Sequence, residues 1–202
     1  MKKIIAVILM CAALMLATAC SSGESFSHGT INGTVYTSAF LGLKAEFSEG
    51  WEITADSDLA QANGIDGMSD DSTAKALKTN GMLFEMMALK DNGASNVNLV
   101  IENLDVTQLG RKLTAEQYVD LALPTITSQY AAAGINDVEA EKSTVSFLGS
   151  ETSCIKTTVK NNGTELHQTM IPVSKGLYMG VITFTAPDED GVKAQIEIFK
   201  SV

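Results

Sequence analysis

The residues of this 202-residue chain best suited to nucleophilic chemistry are few: Cys154, and the two histidines His28 and His167. A thiol beside an imidazole could act as an activated nucleophile, provided the two come within hydrogen-bond reach. His28 falls in a small, polar N-terminal segment, so His167 is the only histidine that could serve Cys154. The spacing speaks against the pair. If Asn162-Gly163 forms a two-residue turn, Asn161 faces Thr164, His167 faces Thr158, and Cys154 faces Ile171. Four residues along a strand then separate thiol and imidazole by roughly 13 Å, and a one-residue slip in register would send them to opposite faces. Cys154 therefore reads as a small, partly buried strand residue.

The acidic run Asp188-Glu189-Asp190-Gly191, with Glu197 downstream, partly mimics a calcium loop. Its first ligand position would be Ala186, and Val192 to Phe199 already repeats at helical spacing, so acidic residues at the positive end of a helix are the simpler reading. Met68-Ser69-Asp70-Asp71-Ser72 reads as a solvated turn. Met82, Met86 and Met87 could line a soft groove but suit core filling better. Cys-x-x-Cys and His-Glu-x-x-His spacings, a nucleophile elbow, a phosphate-binding glycine loop and a dinucleotide fingerprint are all absent. The sequence thus nominates no catalytic residue, no metal ligand and no cofactor, and leaves any ligand-binding residues unassigned.

Cys20 carries the clearest chemistry. Lys2 and Lys3 precede an uncharged apolar stretch, Ile4 to Ala19, which is the layout of an export signal. The stretch is short for a membrane span, which needs about 18 or more apolar residues. Ala17-Thr18-Ala19 supplies a small-x-small cleavage site, and Cys20 follows it directly. Leu16-Ala17-Thr18-Ala19-Cys20 resembles the lipobox of bacterial lipoproteins. That resemblance implies a diacylglyceryl group on the Cys20 sulfur and cleavage between Ala19 and Cys20. Two acyl chains on one residue anchor stably where one binds reversibly. The expected organisation is a signal peptide over 1–19, a lipidated Cys and flexible tether over 20–28, and one domain over 29–202. The expected location is the extracytoplasmic face of the cell membrane, held by lipid.

Charge narrows the partners further. The chain carries −10 formally, and loss of Lys2 and Lys3 takes it from −10 to −12. Such a surface repels phosphate backbones and anionic headgroups, and no basic cluster offsets it, so nucleic acid is excluded as an expected partner. With Cys11 in the signal and Cys20 in the anchor, Cys154 has no partner for an internal disulfide. About 180 residues suffice for a single domain that needs no staple.

The pattern of the remaining chain sets out the scaffold. Ile31, Val35 and Tyr36 suggest a first strand, and Leu43, Ala45 and Phe47 alternate with Lys44 and Glu46 as a second. Asp56 or Ser57 could cap a helix ended by Gly64, and another helix covers Ser72 to Thr79, stopped by Asn80-Gly81. Met82–Lys90 and Val97–Leu104 read as a buried hairpin around Asp91-Asn92-Gly93. Thr114 and Gln117 fit a capping box, opening a long helix in which Pro124 predicts a kink or break. Alternating stretches follow around Val145, Ile155, Met170–Val173 and Leu177–Thr185, and Asp188 or Asp190 caps a last helix. Gly180 marks a bulge or a close approach of another backbone.

Tyr36, Leu41-Gly42-Leu43, Phe47 and Gly50-Trp51, followed by hairpin, long helix, strand meander and C-terminal helix, resemble the bacterial lipoproteins of the PsbP-like superfamily. The resemblance implies an α+β fold: one antiparallel sheet of about six or seven strands covered by helices, an α/β sandwich. It also implies a binding or assembly role and carries over no functional residue, since Phe47 and Trp51 suit core filling and Gly50 a turn. The expected function is a non-enzymatic accessory or binding module for a protein partner or small ligand. The alternatives are an extracytoplasmic enzyme using carboxylates that the sequence does not place, or a structural envelope component.

Overall fold

A computed structural model describes residues 25–108, 110–161 and 163–202; Cys20, Ala19 and the signal lie outside the described residues. The framework is a seven-stranded antiparallel sheet of order β4-β5-β6-β10-β9-β8-β7, faced on one side by a four-stranded sheet of order β1-β2-β3-β11. The expected single sheet is therefore two sheets within one α+β domain.

The larger sheet is built from hairpins. β5 (Met82–Lys90) and β6 (Ser95–Asn103) join through a turn at Asp91–Gly93, where three successive residues take positive φ of 54°, 56° and 88°. Asn, Asp and Gly tolerate that conformation best, which is why the turn falls there. β7 (Asp137–Phe147), β8 (Ser150–Asn161), β9 (Thr164–Lys175) and β10 (Tyr178–Ala186) form the meander. β10 then pairs with β6 and closes meander onto hairpin. Short β4 (Glu52–Ile53) guards the β5 edge.

The small sheet joins the two chain ends. β1 (Thr30–Asn32) and β2 (Val35–Ser38) turn about Gly33, so the single first strand expected there is a hairpin. β3 (Leu43–Glu46) pairs with β2 and with C-terminal β11 (Phe199–Ser201).

Helices cover the two faces of the large sheet separately. α1 (Asp56–Asn63) and α2 (Asp70–Asn80) pack on β5. Ala55 occupies the N-cap of α1 and makes no side-chain cap bond, so neither Asp56 nor Ser57 is its cap. Ser69 caps α2, and Gly64 and Gly81 end the two helices in the left-handed conformation. Short α3 (Leu104–Thr107) follows β6, and α5 (Glu189–Glu197) follows β10 with Asp188 as its cap, accepting from the Gly191 amide at 2.7 Å.

α4 (Ala115–Ala132) lies across β7, β8 and β9 on the opposite face. Its capping box is formed: Thr114 Oγ1 accepts from Gln117 N and Gln117 Oε1 accepts from Thr114 N. The break expected at Pro124 does not occur, and the helix runs through it. Packing of Val119, Ile126 and Tyr130 against Ile155 and Val159 holds both halves on the sheet, which outweighs one missing backbone bond. Among the described residues no helix is long and apolar enough to cross a membrane.

The main core lies between the two sheets and takes in Tyr36, Leu43, Phe47, Leu99, Ile182 and Phe184. Trp51 is half-buried at its rim against Phe47, ring centroids 5.4 Å apart. A Cβ on Gly180 would meet Leu41 Cδ1 at 2.7 Å, so what presses on Gly180 is a side chain rather than a backbone, and the strand is unbroken there. The one bulge in the β5–β6 ladder lies between Phe84 and Met86.

Candidate functional site

That bulge places a charge inside the domain. Phe84 pairs with Val100 and Met86 with Leu99, leaving Glu85 as the extra residue. An inserted residue lets two consecutive side chains face the same way, and both Glu85 and Met86 are fully buried. β4 stops short of this stretch, and Asn63 of α1 completes the edge: its Nδ2 donates to Phe84 O and its Oδ1 accepts from Phe84 N, both at 2.8 Å.

A buried carboxylate must be met by donors. Glu85 Oε1 accepts from the Gly29 amide at 2.6 Å and the Tyr36 hydroxyl at 3.0 Å, and Glu85 Oε2 lies 2.8 Å from His28 Nδ1. Gly29 is required for this approach, because a Cβ there would stand 2.6 Å from the Tyr36 ring. Burial, and then the Glu85 charge, push the Tyr36 hydroxyl well above its ordinary pKa, so it stays a donor.

The segment that supplies two of these donors is expected from the sequence to be flexible tether. Phe26 is only 4% exposed, edge-on to Phe40 and tilted against Tyr178. The His28 amide donates to Asp70 Oδ1 at 2.8 Å. Ordered structure thus begins upstream of Gly29, and the tether boundary at residue 28 moves back at least to Phe26.

A second buried carboxylate, Glu102 of β6, accepts from the Tyr118 hydroxyl at 2.8 Å and from Thr107 Oγ1, tying α4 and α3 to the sheet. Glu85 works on the face toward the small sheet and Glu102 on the face toward α4. The sheet separates them, so the two do not form an acid–base pair.

A cleft of about 670 Å³ opens between α5 and the face of β7–β9 turned away from α4. Glu139 and Glu141 of β7 and Glu189, Asp190 and Glu197 of α5 line it, with Lys156 of β8 and His167 of β9. Strand alternation delivers this set: residues 138 and 140 pack toward α4, so 139 and 141 project the other way. His167 Nε2 stands 3.2 Å from Glu165 Oε1.

The sequence-nominated pair is kept apart. Thr158 is opposite His167, as the turn count requires. Cys154 is fully buried in the main core, and burial pushes its thiol up, with Lys156 only partly offsetting this. Of the methionines, Met86 is core and Met82 and Met87 are half-buried. The acidic run is split between the cap of α5 and the cleft wall. Among the described residues no group of three His, Cys, Asp or Glu side chains is arranged to hold a metal.

Sequence reasoning missed Glu85 and His28. A lone acid inside the apolar run Met82–Leu89 is a signal of a buried, partnered charge. His28 gives no such signal, since its partners lie on elements distant in sequence.

No family model matches the chain, and no curated protein matches it. Among solved structures, a Bacteroides thetaiotaomicron crystal structure is similar over 85% of this chain and 49% of its own, at 12% identity and a TM-score of 0.40. The chain therefore spans about half the length of that protein.

Proposed function

We propose that the chain is a lipoprotein anchored through Cys20 on the extracytoplasmic face of the membrane, and that its PsbP-like domain is a non-enzymatic binding module for a protein partner or small ligand. The α5 cleft is the binding surface. The observation that carries this is the cleft itself: a concave surface of about 670 Å³ with charged and hydroxyl side chains on three strands and a helix. Sites for ligands are concave, and loci of this size suit a small molecule or a side-chain anchor of a partner. The one thiol among the described residues is buried away from it. An acidic lining favours cationic or hydrogen-bonding groups.

Reversing charge on the wall tests the reading. Wild-type protein and a Glu141→Lys variant are each used as bait in gently solubilised membranes and in a thermal-shift ligand screen. The expected result is a partner or ligand retained by wild type and lost by the variant. Retention by both moves the binding surface elsewhere. A wild type that captures nothing and shifts with no ligand overturns the binding-module reading.

A further inference from the structure

Residues 26–29 form a short strap tied to α1, α2 and β5, and one side chain locks it. The groups facing His28 come from four elements: Glu85 of β5, Asp56 of α1, Asp70 of α2 at its amide, and the Glu85-bound Tyr36 hydroxyl of β2. The imidazole is 9% exposed and Nδ1 is bound to Glu85. Its other nitrogen, Nε2, is buried without a hydrogen bond and stands 3.7 Å from Asp56 Oδ1.

The protonation state follows from that arrangement. A neutral ring that donates from Nδ1 to Glu85 presents a bare Nε2 lone pair to a second carboxylate, which is repulsive. An imidazolium presents N–H on both sides. Asp56 is 59% exposed at the start of α1, so its side chain is free to close the remaining gap.

We propose that residues 26–29 are a pH-operated latch: protonated His28 clamps the strap between Glu85 and Asp56, and loss of its proton loosens the strap and lengthens the link to the upstream chain. Release of four residues adds up to about 14 Å of extended chain. If Cys20 is the anchor, that is extra reach of the domain from the membrane; the latch itself does not depend on the anchor.

The direction of the titration agrees with the geometry. Burial alone pushes His28 down, but the hydrogen bond and charge of Glu85, with Asp56, outweigh it and hold the pKa above 6.5. A group whose folded pKa is raised contributes its stabilisation fully below 6.5 and loses it as pH rises through the folded value. The latch is shut in acid and slack in alkali.

The test follows amide-exchange protection at His28 and Gly29 in the purified mature chain from pH 5.5 to 9, while NMR tracks the two histidine rings. Protection, corrected for intrinsic exchange, should fall by about tenfold for each unit by which the fold raises the His28 pKa. The fall should follow the His28 titration and not that of His167. His28→Gln should abolish the pH dependence. Asp56→Asn, an exposed change that leaves the core intact, should reduce it. Protection that stays level while His28 titrates, or an unchanged pH dependence in Asp56→Asn, overturns the latch. Since none of these readings involves a membrane, failure of the Cys20 anchor leaves the result standing.

Discussion

Glu85 shows how a single buried charge organises its surroundings. Its two oxygens are met by an imidazole and a backbone amide from the adjacent residues His28 and Gly29 and by the phenol of Tyr36, all far from Glu85 in the sequence. Removing one donor leaves a desolvated lone pair, which costs about 1–3 kcal/mol. Tyr36→Phe should therefore lower the unfolding free energy by that amount, read as a lower urea midpoint with the slope unchanged, because the ring still fills the core. A change in slope would mean that the core itself had loosened. An acid in the run Met82–Leu89 is visible in the sequence, yet the bulge that turns it inward is not. Asn63, the residue that satisfies the bulged edge, lies on another element, and His28 and Gly29 lie 57 and 56 residues away. Local patterning cannot report partners at that separation. By the same limit, the polar residues around Phe26 read as tether although the phenyl ring is core.

Elements were legible where local chemistry decides them. The Asp91-Asn92-Gly93 turn, the Thr114–Gln117 box, the stop at Gly81 and the Asn161–Thr164 register all follow from residue types within a few positions. The small sheet is legible only in part: the alternation of Leu43 and Ala45 with Lys44 and Glu46 marks β3, but the pair that closes the sheet joins Phe199 to Ala45. That pairing spans most of the chain, and β11, with three residues, carries no alternation of its own to announce it. Pro124 exposes the opposite error, in which a strong local rule yields to packing. The ring sits on the exposed face of α4 while Val119, Ile126 and Tyr130 dock below it. Tyr130 is bonded to Gln168, and burial pushes its hydroxyl up to about 12, so this dock persists at ordinary pH. Pro124→Ala removes no buried contact and restores a backbone donor. It should raise stability by about 1–3 kcal/mol, read as a higher thermal midpoint. No gain would mean that the helix is shaped to the sheet by its proline.

At the scale of the molecule, charge and lipid make opposed demands, and this separates two ways of reaching a membrane. The chain carries −10 formally, and loss of Lys2 and Lys3 with a signal would take it to −12, a charge that anionic headgroups repel. Peripheral attachment through charge would weaken with salt over a Debye length of about 8 Å under physiological conditions. Attachment through two acyl chains on Cys20 would not, since burial of methylenes is worth about 0.8 kcal/mol each and is indifferent to ionic strength. The wild-type protein should therefore stay in the membrane fraction through a high-salt wash and leave it with detergent. Cys20→Ser should appear in the soluble extracytoplasmic fraction with the same thermal midpoint, because the core residues described, from Phe26 onward, all lie downstream of it. If the variant remains with the membrane through the salt wash, the apolar stretch Ile4 to Ala19 is itself the anchor. If salt alone releases wild type, the attachment is electrostatic and must run through a protein partner, since the chain's own charge has the wrong sign for lipid.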